Sequence, residues 1–310
     1  MCVPKNSDGL YPIGTVSGRT GVNSVTLRAW ERRYGLLKPT RTPGGRRLYS
    51  EADIELIERV TEQLGRGIPI SSVARGVSSE DGRNISGGDA WQQYRSAMVD
   101  AVSRFDEPAL DTVHSEAMAL YPVDVVTSQL ITPLLQELGE RWAASGEGSI
   151  AEEHFFSVFL RNKLGARFHH RGISPAGPAL IGACLPGQTH EFGLLLFALS
   201  AHARGFRMIL LGADMPLHEI PVVLARTRAS GIVLAGSATA HCAELAMQVS
   251  GLTQAVDVPV FVGGDAAAIC REVIPGTGAV RLGTDIVAGV QRVREALLDN
   301  SASFKGDEKS

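Results

Sequence analysis

The sequence predicts a multidomain protein of the α and α/β classes: a winged helix-turn-helix, then a four-helix bundle, then a doubly wound parallel α/β domain of the Rossmann-like, flavodoxin type. Three observations carry this. Residues 11–49 compress two short helices, a glycine turn and a basic hairpin into one stretch, and helical patterns with short breaks follow. Apolar strand-like runs then alternate with helices as far as residue 298. The expected boundaries are 1–76 for the winged helix, 77–88 for a linker, 89–174 for the bundle, 175–300 for the α/β domain and 301–310 for a disordered tail.

The net charge of -3 over 310 residues gives no global hint of a nucleic-acid partner. The average hides an asymmetry. Residues 1–79 hold twelve Lys and Arg against seven Asp and Glu, a net of +5, which leaves -8 on the remainder. A basic segment on an acidic body points to a polyanion-binding head. Cys2, Cys184, Cys242 and Cys270 lie far apart with no Cys-x-x-Cys, and are expected as reduced core thiols of a cytosolic protein. With no apolar run of about 18 residues and no apolar signal core at the N-terminus, a cytoplasmic location without a membrane partner is expected.

Within the head, residues 13–22 place a short helix before a glycine turn, and Ser24–Arg33 forms the second helix. Val25, Ala29 and Trp30 are expected to face the core, leaving Thr26, Arg28, Arg32 and Arg33 outside. An arginine there can fork onto guanine or clamp a phosphate. Residues 40–49 then read as a tight hairpin with basic residues on both arms, a wing that reaches the adjacent backbone or minor groove. Ser50 is placed as the N-cap of the next helix, whose apolar face is Ile54, Leu56, Ile57, Val60 and Leu64.

Arg28-Ala29-Trp30-Glu31-Arg32-Arg33-Tyr34-Gly35-Leu36, with Gly45-Arg46-Arg47-Leu48-Tyr49 and Asp53-Ile54, resembles the MerR family of winged-helix regulators over about residues 11–76. The resemblance implies contacts to double-stranded promoter DNA from Thr26, Arg28 and Arg33 on the helix and from Arg41, Arg46, Arg47 and Tyr49 on the wing. The cysteine set of a metal-responsive member is missing, so the effector binds elsewhere.

The bundle helices are expected at about 90–105, 107–120, 122–143 and 149–171. Trp142 closes the third, and Glu152, Glu153 and His154 open the fourth, an aromatic plate beside carboxylate and imidazole that suits the polar substituent of a flat ligand. In the α/β segment the run 179–184 turns into a helix through Leu185-Pro186-Gly187-Gln188-Thr189-His190-Glu191-Phe192-Gly193. Ligands collect at such strand ends. Two later strands end in Ala235-Gly236-Ser237-Ala238-Thr239 and Gly263-Gly264-Asp265, where paired glycines let a bulky group approach the backbone. Gly-x-Gly-x-x-Gly is missing after the first strand, which argues against a dinucleotide.

These strand ends resemble the cobalamin-binding domain shared by methionine synthase, mutases and corrinoid proteins. Its Asp-x-His-x-x-Gly, Ser-x-Leu/Thr and Gly-Gly stand here as Gln188 to Gly193, Ser237-Ala238-Thr239 and Gly263-Gly264. The resemblance implies that His190 is the lower axial ligand of the cobalt and that the nucleotide tail lies along Ser237, Thr239, Gly263 and Gly264. Gln188 replaces the acid that polarises the imidazole, which predicts weaker ligation.

As a whole the chain resembles the CarH/LitR group of MerR-type regulators, which use adenosylcobalamin as a light-sensing cofactor. In that group a Trp followed after nine residues by Glu-His caps the adenosyl side; here ten residues separate Trp142 from Glu153 and His154. Ala143 stands where the photoreceptors often have a His that takes the upper cobalt position after light, so a stable bis-histidine photoproduct is not expected. The implied function is a repressor whose cobalamin state sets homo-oligomer assembly, dimer or tetramer, and thereby DNA affinity. Two readings stay open beside it. One is a MerR-type regulator that has lost cobalamin and senses another ligand or partner. The other is a corrinoid-dependent methyl- or carbon-skeleton-transfer protein, against which stand the missing substrate barrel and the N-terminal winged helix.

Overall fold

The computed structural model describes residues 9–78, 88–144, 148–169, 177–237 and 241–303. The chain divides after Asn162 into two compact units. Among the described residues no helix is long and apolar enough to cross a membrane.

The first unit opens with β1 (Tyr11–Pro12) and α1 (Ile13–Thr20), which Gly21 ends at φ 72°. Asn23 caps α2 (Ser24–Ala29) by accepting from the backbone N–H of Val25 and Thr26, each at 2.9 Å. The helix widens into a π-turn over Trp30–Tyr34 and stops at Gly35, φ 62°. β2 (Thr40–Arg41) and β3 (Arg47–Tyr49) form the wing, with β3 also paired to β1. Ser50 and Asp53 bond reciprocally, side chain to backbone, and start α3 (Glu51–Gly65); α4 (Ile70–Ser78) follows.

The bundle has the expected order. It comprises α5 (Gly88–Ser103), α6 (Glu107–Leu120), a long third rod and α9 (Ser149–His169). The rod is α7 (Val123–Val126), a π-turn over Thr127–Ile131 and α8 (Thr132–Ala143). Two hydrogen bonds tie the head to the bundle. Trp30 Nε1 donates to the Leu120 carbonyl at 2.8 Å, and Gln129 Nε2 donates to the Gly65 carbonyl at 2.9 Å.

The second unit alternates β4 (Ala179–Cys184), α10 (Phe192–Ala203), β5 (Arg207–Gly212), α11 (Ile220–Thr227), β6 (Gly231–Ala235) and α12 (Cys242–Ala255). β7 (Val260–Gly263), α13 (Asp265–Ile269), β8 (Val280–Gly283) and α14 (Ile286–Ser303) complete it. All strands are parallel, in the order β5-β4-β6-β7-β8. Side-chain alternation sorts the core into two layers. Ile181, Ala183, Ile232, Leu234, Val260 and Val262 pack with residues of α11 and α12 such as Ile220 and Val249. Leu180, Val233 and Phe261 pack on the other face with Phe197 of α10 and Val290 and Val293 of α14. The helices that follow β4 and β6 therefore leave to opposite faces, which makes the β4/β6 junction the switch point of a flavodoxin-type sheet.

One expectation is corrected here. Cys242 and Cys270 form a disulfide, where reduced thiols were expected; α12 starts and α13 ends close enough for their Cα atoms to lie 5.3 Å apart. Cys184 is a free, buried thiol as expected. The expected linker falls mostly on residues 79–87, outside the described residues, while α14 runs to Ser303, into the segment expected as a tail.

Candidate DNA-reading head and ligand loops

On the head, the described arginines divide by partner. Arg28, Arg33 and Arg46 are exposed and make no ion pair among the described residues. Arg41 and Arg47 instead close on Glu31 of the π-turn: Arg41 Nη2 donates at 2.9 Å, and Arg47 donates through Nε and Nη2. These bonds, the one from Arg47 foremost, hold the Glu31 carboxyl below the usual carboxylate range. Glu31 thus fixes the wing against the recognition helix, a role that only its spacing to the two arginines in three dimensions reveals. Arg41 remains 53% exposed, so one edge of its guanidinium faces solvent.

Two expected contacts are corrected. Thr26 is fully buried, its hydroxyl accepting from Asn23 Nδ2 at 2.9 Å, while Val25, expected in the core, is 59% exposed. The cause is phase: Val22, Leu27 and Trp30 are also buried and fix the inward face, which passes through position 26. Tyr49 is buried as well, aligned with Tyr11 on β1, and burial raises its pKa. Both residues hold the head together without presenting a side chain to a duplex in this conformation.

At the end of the bundle rod, Trp142 is half-buried. Its Nε1 donates to Glu152 Oε2 at 3.3 Å, and Arg141 Nη2 donates to both oxygens of Glu152 at 2.6 Å. The carboxylate beside the indole is therefore Glu152, one position before the expected Glu153. Glu153 is half-buried and His154 is exposed just after the first turn of α9. The sequence already placed Glu152 in this group, and nine intervening residues after Trp142 lead to Glu152, while the Glu-His dipeptide starts at Glu153.

In the second unit, the loop after β4 meets the loop after β6 at the switch point. Gln188 Oε1 accepts from Ser237 N at 3.0 Å and from Ser237 Oγ at 2.7 Å. These bonds use both lone pairs of that oxygen. The amide expected to orient His190 thus spends its acceptor on joining the two loops. A further clamp comes from Asp214, at φ 47°: its Oδ1 accepts from Gly187 N at 2.7 Å, and its own N–H donates to the Gln188 carbonyl at 2.9 Å. His190 is exposed, and its ring lies 6.1 Å from that of Phe192 with 26° between planes. Beneath it the Cys184 thiol, pushed up to about 11 by burial, contacts the His190 carbonyl at 3.7 Å. Asp214 and Cys184 were not singled out as loop-positioning residues from sequence, because both act on backbone atoms.

The glycines separate into two kinds. A Cβ on Gly264 would come within 2.3 Å of the Gly236 carbonyl oxygen, and its φ is 85°, so this glycine serves packing between the two loops. Gly263 and Gly193 are under no such demand: an added Cβ would meet only Leu282 and Gly283 at 3.6 Å or more, and nothing within 4 Å, respectively. Thr239 lies outside the described residues.

Residues 11–80 match the MerR HTH family regulatory protein family, and residues 94–167 match the B12 binding domain family. The HTH-type transcriptional repressor CarH of Myxococcus xanthus is 32% identical over 279 residues, 84% of this chain and 92% of its own length. The repressor CarA of the same organism is 29% identical over 289 residues, 92% and 97% of the two chains. The solved monomethylamine corrinoid protein of Methanosarcina barkeri superposes with a TM-score of 0.52 at 18% identity, over 66% of this chain and 96% of its own. That last likeness is one of fold. The chain belongs to the MerR-type helix-turn-helix transcriptional regulators that carry a B12-binding domain, and is a regulator, not an enzyme.

Proposed function

We propose that this regulator is a cytoplasmic repressor whose DNA affinity is set by adenosylcobalamin and, through it, by light. The observation that carries the reading is the switch-point loop: an exposed His190 stands on a loop clamped by Ser237 and Asp214, with open space at Gly193. An imidazole on a rigid loop would supply one nitrogen ligand, which suits a corrinoid that needs only one from the protein. His190 would supply a nitrogen ligand to the cobalt, Ser237, Thr239 and Gly263 would contact the nucleotide tail, and Trp142 with Glu152, Glu153 and His154 would recognise the adenosyl group. When bound, adenosylcobalamin supplies a cobalt–carbon bond that light breaks. The occupied Gln188 oxygen supports ligation weaker than an acidic partner would give.

Arg28, Arg33 and Arg46 supply the phosphate and base contacts, with Arg41 on the wing reaching the backbone. Homo-oligomer assembly raises affinity because a second head on an adjacent half-site binds at high effective concentration. Absorption spectra of the reconstituted chain in darkness and after illumination test the cofactor reading. The expected results are a bound corrinoid that survives gel filtration, a spectral change on illumination, and loss of occupancy in His190→Ala. Full occupancy in His190→Ala contradicts the assignment of His190 as the cobalt ligand.

A further inference from the structure

The recognition helix carries one apolar side chain that the core does not take. Val25 stands 59% exposed in the first turn of α2, while Val22, Leu27, Ala29 and Trp30 are buried. Three positions on, Arg28 shares its helical face and is exposed without an ion pair among the described residues. Among the described side chains of residues 9–76, Val25 is the only large hydrophobic residue so exposed. A protein partner would call for a wider apolar patch than one isopropyl group. A cationic face with a single apolar point matches a polyanion that offers an isolated methyl. The major-groove edge of a T·A pair has that form: phosphates alongside, and the thymine 5-methyl among polar acceptors and donors.

We propose that Val25 packs on the 5-methyl group of one thymine per half-site and so sets a T·A preference there, while Arg28 beside it takes a neighbouring base edge or phosphate. This rests on the reading of α2 as the DNA-reading helix. The Asn23 cap supports it, because the N–H groups of Val25 and Thr26 donate to Asn23 Oδ1 and fix the turn that presents the side chain. Helix N-terminal residues are the ones that reach base edges in this motif. Valine also loses little rotamer freedom on contact, since its χ1 is already restricted.

The test uses the full chain and duplexes that it selects from a random-sequence DNA library. Each thymine of the selected half-site is replaced singly by deoxyuridine, which keeps every hydrogen-bonding group and removes only the methyl. One position is expected to weaken wild-type binding about fourfold, the value of one buried methyl. The same replacement should leave Val25→Ala unaffected, and that variant should bind the thymine duplex more weakly by a similar factor. The variant removes an exposed side chain, so its fold is retained. A duplex that tolerates every deoxyuridine, or a penalty of equal size in both proteins, overturns the assignment of Val25. Selection of no duplex by the wild-type chain contradicts instead the reading of the head as a DNA reader.

Discussion

Glu31 shows how one side chain can decide which arginines a DNA-binding head has to spend. By accepting from Arg41 and Arg47 it joins helix to wing, while Arg28, Arg32, Arg33 and Arg46 stay exposed outside that pair. Its carboxyl titrates below its ordinary value, so the bonds add stability above the unfolded pKa of about 4.3, and that stability is lost as pH falls through the lower folded value. Glu31→Gln is expected to destabilise the head by about 1.5–3 kcal/mol at pH 7. Urea midpoints of variant and wild type should converge as the pH falls through and below 4; an equal gap at both pH values contradicts the ionic account. At this scale the sequence was legible in residue type but not in phase. The basic cluster and the Ser50 cap were plain, yet Thr26 and Val25 exchanged places because a short helix has no periodicity long enough to fix its inward face. Glu152 was in view beside Trp142, and only the folded helices show that it, rather than its neighbour, accepts from the indole N–H.

At the scale of elements, alternation of apolar runs with helices gave the order of the sheet's strands in the chain, and the split of strand residues between two core layers explains why that pattern was readable. What no pattern encodes is contact between loops distant in sequence. Gln188 and Ser237 meet across 49 residues, and Cys242 and Cys270 across 28. The disulfide joins the start of α12, just after the Ser237 loop, to the end of α13, just after Gly263 and Gly264. Closing a loop of this length stabilises a fold by about 2–4 kcal/mol in the chain-entropy account. Treatment with a dithiol reductant is therefore expected to lower the urea midpoint of the second unit, and Cys242→Ser should match the reduced wild type. An unchanged midpoint, with reduction verified by mass spectrometry, contradicts a stabilising bridge. Trp30 adds the other long-range link. Its buried indole N–H bond to Leu120 puts the end of the recognition helix in register with α6, so head and bundle share one buried contact.

For the whole molecule, the two compact units divide the labour of a regulator: cationic reading head and bundle in one, switch-point loop in the other. Coupling between them requires that the ligand bind the assembled and dispersed states with different affinity. The basic head and acidic remainder were visible in the sequence as a charge asymmetry of +5 against -8. Which cations stay exposed was not, because pairing with Glu31 depends on the folded wing. The central claim is that cobalamin held through His190 controls DNA affinity. It is tested most directly by binding curves of the full chain on a selected duplex at one fixed salt concentration, without ligand, with adenosylcobalamin in darkness, and after illumination. The account predicts curves for the dark-loaded and ligand-free protein separated by about 5- to 150-fold, the usual range of a coupling free energy, with the separation collapsing on illumination and missing in His190→Ala. Superimposable curves in all conditions, with the corrinoid verified as bound, would contradict it.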